Sequence, residues 1–382
     1  MTAPLLPRVL GKYAGTQPGP LLICLAGIHG NEPAGVYALQ QLFDDLNATN
    51  PEFRGTLVGL CGNRQALNNN QRFVDSDLNR AWQSCAPQLF DQTHEGLEKR
   101  ELHQELCHLL NGFKGKAFFL DLHTSSAGGA PFACIGDTIR NRRFARSFPT
   151  PKILGLEEQI DGALLEFLNN LGLTTIGFEG GQHHDKKAVE NHYAAVWCAL
   201  AGAKCIKKSH PQAQKSFKHL QESSKGCPSW VGIRYRHAVE HSDEFKMRPG
   251  FNNFDKVSAD YLLATHNSQA IHSFYKSRII LPLYQGLGDD GFFLANDINP
   301  FWLGLSRWLR RLKCDHVVHW LPGVKRSVSD PSSLEVNSNV ARWLVVEIFH
   351  LLGFRKRRQQ QEKLIFSRRK FDLNMPNSYS LD

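Results

Sequence analysis

Over roughly the first 200 residues, runs of consecutive apolar residues alternate with segments whose apolar positions recur every three or four residues. The runs lie near 21–27, 55–61, 117–122 and 173–179. Short and apolar throughout, they read as strands buried on both faces. Between them, 33–47 puts Val36, Leu39, Leu42, Phe43 and Leu46 on one helical face, with Pro33 suited to the first turn. Helices are also expected over 96–112 and about 186–202. This alternation predicts an α/β domain over residues 1–206 with a mixed, largely parallel sheet.

Beyond it, 207–228, "KKSHPQAQKSFKHLQESSKGCP", is polar and reads as a linker. Residues 229–300 break into short apolar runs such as "WVGIRYRHAV" and "RIILPLYQ", separated by Pro-Gly, Asn-Asn and Gly-Asp-Asp-Gly. Those turn signals predict a second, smaller β-rich domain. Residues 301–382 form a C-terminal segment, with helical spacing over 301–353 that should pack back onto the domains, followed by a basic tail. No internal repeat is present.

At 382 residues the chain exceeds one ordinary core, in keeping with two domains, and 42% hydrophobic content excludes general disorder. The formal charge of +9 is concentrated: residues 354–370 carry eight Lys/Arg against one Glu, leaving the rest near +2. A solvated face accounts for such a run, and nucleic acid is not an expected partner. Nine cysteines without a C-x-x-C pair suit reduced thiols in a cytoplasmic protein. They exclude a zinc ribbon, but not a zinc site built from His and Glu. The proline-broken start "MTAPLLPRVLGKYAG" does not read as a signal peptide. No run of about 20 apolar residues occurs, so no membrane partner is expected. A homo-oligomer stays open.

Chemistry enters where the apolar runs end. The first stops in "GIHGNE" (His29, Glu32), the third in "DLHTS" (His123) and the fourth in "GFEGG" (Glu179), while "NRQALNNNQRFVDSDLNR" spans Asn63 to Arg80. Ligands of open α/β sheets bind beyond the carboxyl ends of the strands, so these tips are placed to converge. Two His and one Glu form a catalytic zinc set that leaves a position for water. His29 and Glu32 supply the close pair and His123 the distant third ligand. The plainer alternative makes His29 a turn residue and His123 a core histidine.

In this order and spacing, "GxHGNE", "NRQA…DSDLNR", "DLHTS" and "GFEGG" resemble the succinylglutamate desuccinylase/aspartoacylase family of zinc hydrolases. The resemblance covers roughly residues 20–300 and implies a zinc-carboxypeptidase type of fold with one zinc per chain on His29, Glu32 and His123. It also implies Glu179 as general base, Arg64 as stabiliser of the oxyanion, and Asn79 and Arg80 as the carboxylate reader. Arg72 is a further substrate-binding candidate, and Asp77 resembles the carboxylate that orients a zinc-bound imidazole. Asp121, on the same strand face as His123, is a lesser candidate for that role.

The sequence departs from the aspartoacylases in two places. Their additional arginine about ten residues before the catalytic Glu has no counterpart in "LEFLNNLGLTTIGFE". Their second-domain Tyr has no clear match either: Tyr284 is nearest, with Phe292 and Phe293 in the expected register. His183, His184 and Arg248 are further candidates for the pocket wall.

The expected activity is removal of an acyl group from a small N-acyl amino acid or related carboxylate-bearing amide. The rival readings are a metallocarboxypeptidase and a non-catalytic zinc/carboxylate-binding protein. Glu179 argues against the second, since a binder needs no base beside the metal.

Overall fold

In a computed structural model, residues 5–82, 92–314, 316, 318, 323–326, 333–337, 345–360 and 363–381 are described. The four apolar runs become β2 (Gln17–Ala26), β3 (Arg54–Cys61), β4 (Ala117–Ser125) and β7 (Thr174–Gln182), and the structure adds β1 (Val9–Ala14), β5 (Phe132–Cys134) and β6 (Lys152–Leu154). Strands β3, β2, β4 and β7 lie side by side and parallel, the arrangement expected of strand–helix–strand units. The connecting helices are α1 (Ala34–Thr49), α2 (Arg64–Asn68), α3 (His94–Leu110), α4 (Ile139–Ala145), α5 (Leu164–Asn170) and α6 (Lys186–Ala203).

Alternation along β2 shows why the run is uninterrupted. Leu22, Cys24 and Ala26 join the core beneath α1 and α6, with Leu39, Leu42 and Val196. Leu21, Ile23 and Leu25 face the other way, into a second core with Leu102 and Leu106 of α3 and Leu164 of α5. Both faces are covered, so no polar position is tolerated until the strand ends.

The polar stretch read as a linker contains a helix, α7 (Pro211–Ser223), which packs on α6. Ala213 and Leu220 are buried, and His219 Nε2 lies 2.8 Å from Asn191 Oδ1. Residues 229–300 are β-rich, forming β8 (Trp230–Ala238), β9 (Phe245–Met247), β10 (Lys256–Val257), β11 (Leu262–His266), β12 (Gln269–His272), β13 (Ser277–Ile280) and β14 (Asp290–Asp297). Four of these continue the main sheet, whose order is β1-β3-β2-β4-β7-β5-β6-β8-β14-β13-β10, because β6 pairs in parallel with β8. Only β12-β11-β9 form a separate small sheet there.

The C-terminal segment is α/β rather than helical. It contains α8 (Pro300–Arg311), β15 (Val324–Arg326), β16 (Ser333–Asn337), α9 (Val345–Leu351), β17 (Phe354–Gln360) and β18 (Lys363–Arg368). The basic run is therefore not simply a solvated face. Phe354 and Phe366 are buried, and Arg369 is buried against Glu157 and Glu158 at 2.7 and 2.9 Å. The chain then returns to the first body, where Tyr379 and Leu381 enter the core under α3. Among the described residues the cysteines are free, and no helix is long and apolar enough to cross a membrane.

Candidate metal centre

β2 ends at Ala26, and the chain turns at Gly27, whose φ of +68° lies in the left-handed region that favours glycine. Gly30 passes so close to α2 that a Cβ there would lie 2.1 Å from the Ala66 carbonyl carbon. These two glycines let the tip fold back and bring His29 over the sheet, with Glu32 just before α1. His123 and Glu179 sit on β4 and β7 as direct cross-strand neighbours.

His29, Glu32 and His123 converge, each offering a ligand atom within 4.8 Å of the others. His29 Nδ1 lies 2.9 Å from Glu32 Oε1, and His123 Nδ1 lies 3.2 Å from Glu32 Oε2. The outer nitrogens meet carboxylates too: His29 Nε2 is 3.1 Å from Asp77 Oδ1, and His123 Nε2 is 3.0 Å from Asp121 Oδ2. Each imidazole thus has Glu32 at its Nδ1 and an aspartate at its outer nitrogen. This is the arrangement that orients metal-binding imidazoles. Both Asp77 and the lesser candidate Asp121 hold that position.

The electrostatics agree. Burial raises the Glu32 carboxyl, but the two imidazoles beside it outweigh this and hold it well below the carboxylate range. Burial disfavours a charged His123, yet Asp121 and Glu32 hold its pKa well above the ordinary value. Two imidazole nitrogens and a carboxylate converge in a largely dry site, which suits a bound cation. The donor set fits zinc. Glu179 differs: burial pushes its carboxyl up to about 7, and its Oε2 is buried without a hydrogen-bond partner.

A cavity of about 190 Å³ opens from this cluster. Arg72, Asn79 and Arg80 line it, whereas Arg64 does not. Arg64 begins α2 directly after its cap Asn63, and its Nε bonds Glu98 at 3.1 Å on α3. The expectation that Arg64 reaches the reaction centre is corrected. Arg72 is the arginine at the centre, its Nη2 lying 3.0 Å from Asp77 Oδ2 and 3.1 Å from His29 Nε2. Arg80 Nη2 meets Asp290 at 3.1 Å, and Asn79 Oδ1 accepts from Leu164 N at 3.0 Å.

His183 lines the cavity between Thr124 Oγ1 (2.7 Å) and Gln285 Oε1 (3.0 Å). His184 and Arg248 do not line it. Tyr284 is also outside, donating from its hydroxyl to Arg248 O at 2.9 Å; Phe293 lines the wall and Phe292 belongs to a neighbouring core.

Five contributors escape sequence reasoning. Buried Glu95 accepts from the backbone N–H of Val74, Asp75 and Ser76 at 2.6–3.2 Å and so pins the loop carrying Arg72 and Asp77. Gln285 and Asp290 come from the β13–β14 region. Arg355 and Arg369 reach the far end of the cavity from the basic run, Arg355 paired with Glu166. Glu95 falls one residue before the helix expected over 96–112, because the observed helix starts earlier, at His94.

Residues 18–191 match the family model of the succinylglutamate desuccinylase/aspartoacylase catalytic domain. A probable aspartoacylase of Acaryochloris marina is 33% identical over 111 residues, 28% of this chain and 35% of that protein. A succinylglutamate desuccinylase of Pseudomonas aeruginosa is 26% identical over 261 residues, 64% of this chain and 73% of that protein. A solved succinylglutamate desuccinylase of Vibrio parahaemolyticus superposes with a TM-score of 0.57 at 12% identity, over 78% of this chain and 97% of that one. A succinylglutamate desuccinylase/aspartoacylase of Rhodobacter sphaeroides gives 0.55 at 14%, over 75% and 88%. The structural likeness shows the fold, and the family match is confined to residues 18–191. Residues 18–191 carry the catalytic domain of the succinylglutamate desuccinylase/aspartoacylase family, the one its motifs resemble.

Proposed function

We propose that this chain is a zinc-dependent hydrolase that cleaves the amide bond of a small N-acyl amino acid or related carboxylate-bearing amide. The observation that carries this reading is Glu179. It is a buried carboxyl with a free oxygen, one strand from His123, at the wall of a cavity that also contains His29 and Glu32. A structural carboxylate in such a place would be paired.

Zinc held by His29, Glu32 and His123 supplies a Lewis acid that lowers the pKa of water at the site to about 7. Glu179 Oε2 takes a proton from the attacking water and passes it to the leaving nitrogen as the C–N bond breaks. The products are a carboxylate and an amine. Arg72, fixed by Asp77, donates to the carbonyl oxygen as charge gathers there, the role expected earlier of Arg64. Arg80 presents its planar fork to the substrate carboxylate, which replaces Asp290 on it, and Asn79 shapes the wall beside it.

The test is a screen of zinc-loaded protein against N-acetyl, N-succinyl and longer N-acyl amino acids, with short peptides alongside. Release of amino acid from at least one N-acyl substrate is the expected result; cleavage of peptides alone overturns the reading.

A further inference from the structure

Helix α8 is held to the protein chiefly by Ser306 and Arg310, with Leu303 packed against the main core. Ser306 Oγ donates to Leu351 O at 2.8 Å. Arg310 is 3% exposed, and its guanidinium reaches Asp137 Oδ2 at 2.8 Å and Asp372 Oδ1 at 3.3 Å. Helices normally bury their apolar stripe; this one turns it outward. Phe301, Leu305, Trp308 and Leu312 follow one another at four-, three- and four-residue steps, one continuous stripe, and Trp302 lies beside Phe301 with ring centroids 5.3 Å apart. Phe301, Trp302, Trp308 and Leu312 are 65%, 51%, 58% and 56% exposed.

On a helical wheel of 100° per residue, Arg307 and Arg311 fall on one flank of the stripe, and Lys313 follows just past the C-terminal end of the helix. Arg311 and Lys313 are exposed. Aromatic and leucine side chains at the centre with long basic side chains along one flank and at the C-terminal end match the two zones of a bilayer surface, acyl boundary and headgroups.

We propose that this face docks on an anionic lipid bilayer, with α8 lying in the plane of the interface. Charge selects the occupant. A second copy of a chain bearing +9 would set Arg311 and Lys313 against like charges, whereas acidic headgroups complement them. Length selects the pose: 12 residues span about 18 Å, well short of the ~30 Å hydrocarbon core, so the helix lies on the surface and does not cross it. The sequence-based expectation of no membrane partner rested on the lack of a spanning segment, which does not bear on a surface helix.

The test is co-sedimentation of the full chain with phosphatidylcholine vesicles, with and without one third phosphatidylserine, together with tryptophan emission. Binding to the phosphatidylserine vesicles with a blue shift is expected, along with an affinity at least about tenfold lower for a W302S/W308S variant. An R311Q/K313Q variant should lose the preference for phosphatidylserine. All four side chains are solvent-facing, so melting by circular dichroism should match the parent and separate lost docking from lost folding. No binding by the parent overturns the proposal. So does equal binding by W302S/W308S, which would move the contact to the 354–370 run. A dimer that the tryptophan variant dissolves, without lipid binding, makes the face an interface between copies and likewise overturns it.

Discussion

Glu179 and Arg72 owe their chemistry to what surrounds them. Glu179→Gln keeps the size of the side chain and removes the proposed base. Zinc content by atomic absorption should stay at about one per chain while kcat falls at least about 100-fold. His29→Ala or His123→Ala should strip the metal, since each removes one of three protein ligands. Parental turnover in the Gln variant would make Glu179 a structural carboxylate. The two arginines make a sharper contrast. Arg72 touches His29 and Asp77, so Arg72→Ala should cost about 100- to 1000-fold in kcat, the scale of a lost oxyanion donor. Arg64 pairs with Glu98 and Glu101 away from the cavity, so Arg64→Ala should leave kcat within a few-fold and lower the melting temperature instead. If Arg64→Ala proves the more damaging to kcat, the reassignment is wrong.

At the scale of elements, β4, β7 and α6 form one positioning unit. His192 of α6 donates from Nε2 to the His123 carbonyl at 2.8 Å, and Gly180 of β7 lies so near that a Cβ there would approach the imidazole to 2.5 Å. Burial pushes His192 down to about 4 from an ordinary 6.5. The unfolded chain then binds a proton that the folded chain refuses. Stability contributed by the neutral imidazole is complete above pH 6.5 and is lost as pH falls toward 4, with a ceiling of roughly 3 kcal/mol. Urea unfolding between pH 7 and 4.5 should show this acid slope, and His192→Gln, which keeps a donor for the carbonyl, should flatten it. Helix α7 makes a related point. Its apolar Ala213, Phe217 and Leu220 keep helical spacing within a polar stretch, and two of the three are buried on α6. Composition pointed to a linker; periodicity, weighed alone, pointed to a helix.

Across the whole molecule, buried ion pairs tie the C-terminal segment to the catalytic body. Asp137 receives Arg142 and Arg310, and Arg369 sits between Glu157 and Glu158. Burial raises the Asp137 carboxyl, but the arginines outweigh it and hold it well below the carboxylate range. Replacing Arg310 with Met removes one partner from a buried charge, which costs about 3 kcal/mol where the other partner stays. Urea denaturation should register that loss, and a change under about 0.5 kcal/mol, the scale of a surface substitution, would show that the segment is not anchored there.

The sequence by itself determined the elements with strong period and the chemistry at their ends. Strands buried on both faces admit few polar residues, so an imidazole or carboxylate at the end of such a run stands out, and His29, Glu32, His123 and Glu179 were legible for that reason. Arg64 and Arg72 both lie in one polar loop, where spacing carries no direction. Tertiary structure chose between them by giving Glu98 to the first and Asp77 to the second. It also decided that β8 and β14 continue the main sheet, because strand pairing between distant segments leaves no local signature. The far wall of the cavity was decided in the same way: Arg355 and Arg369 belong to a run whose charge reads as solvent-facing until Glu157, Glu158 and Glu166 are brought beside it. Local pattern records what a segment buries, and only the folded chain supplies the partner it is buried against.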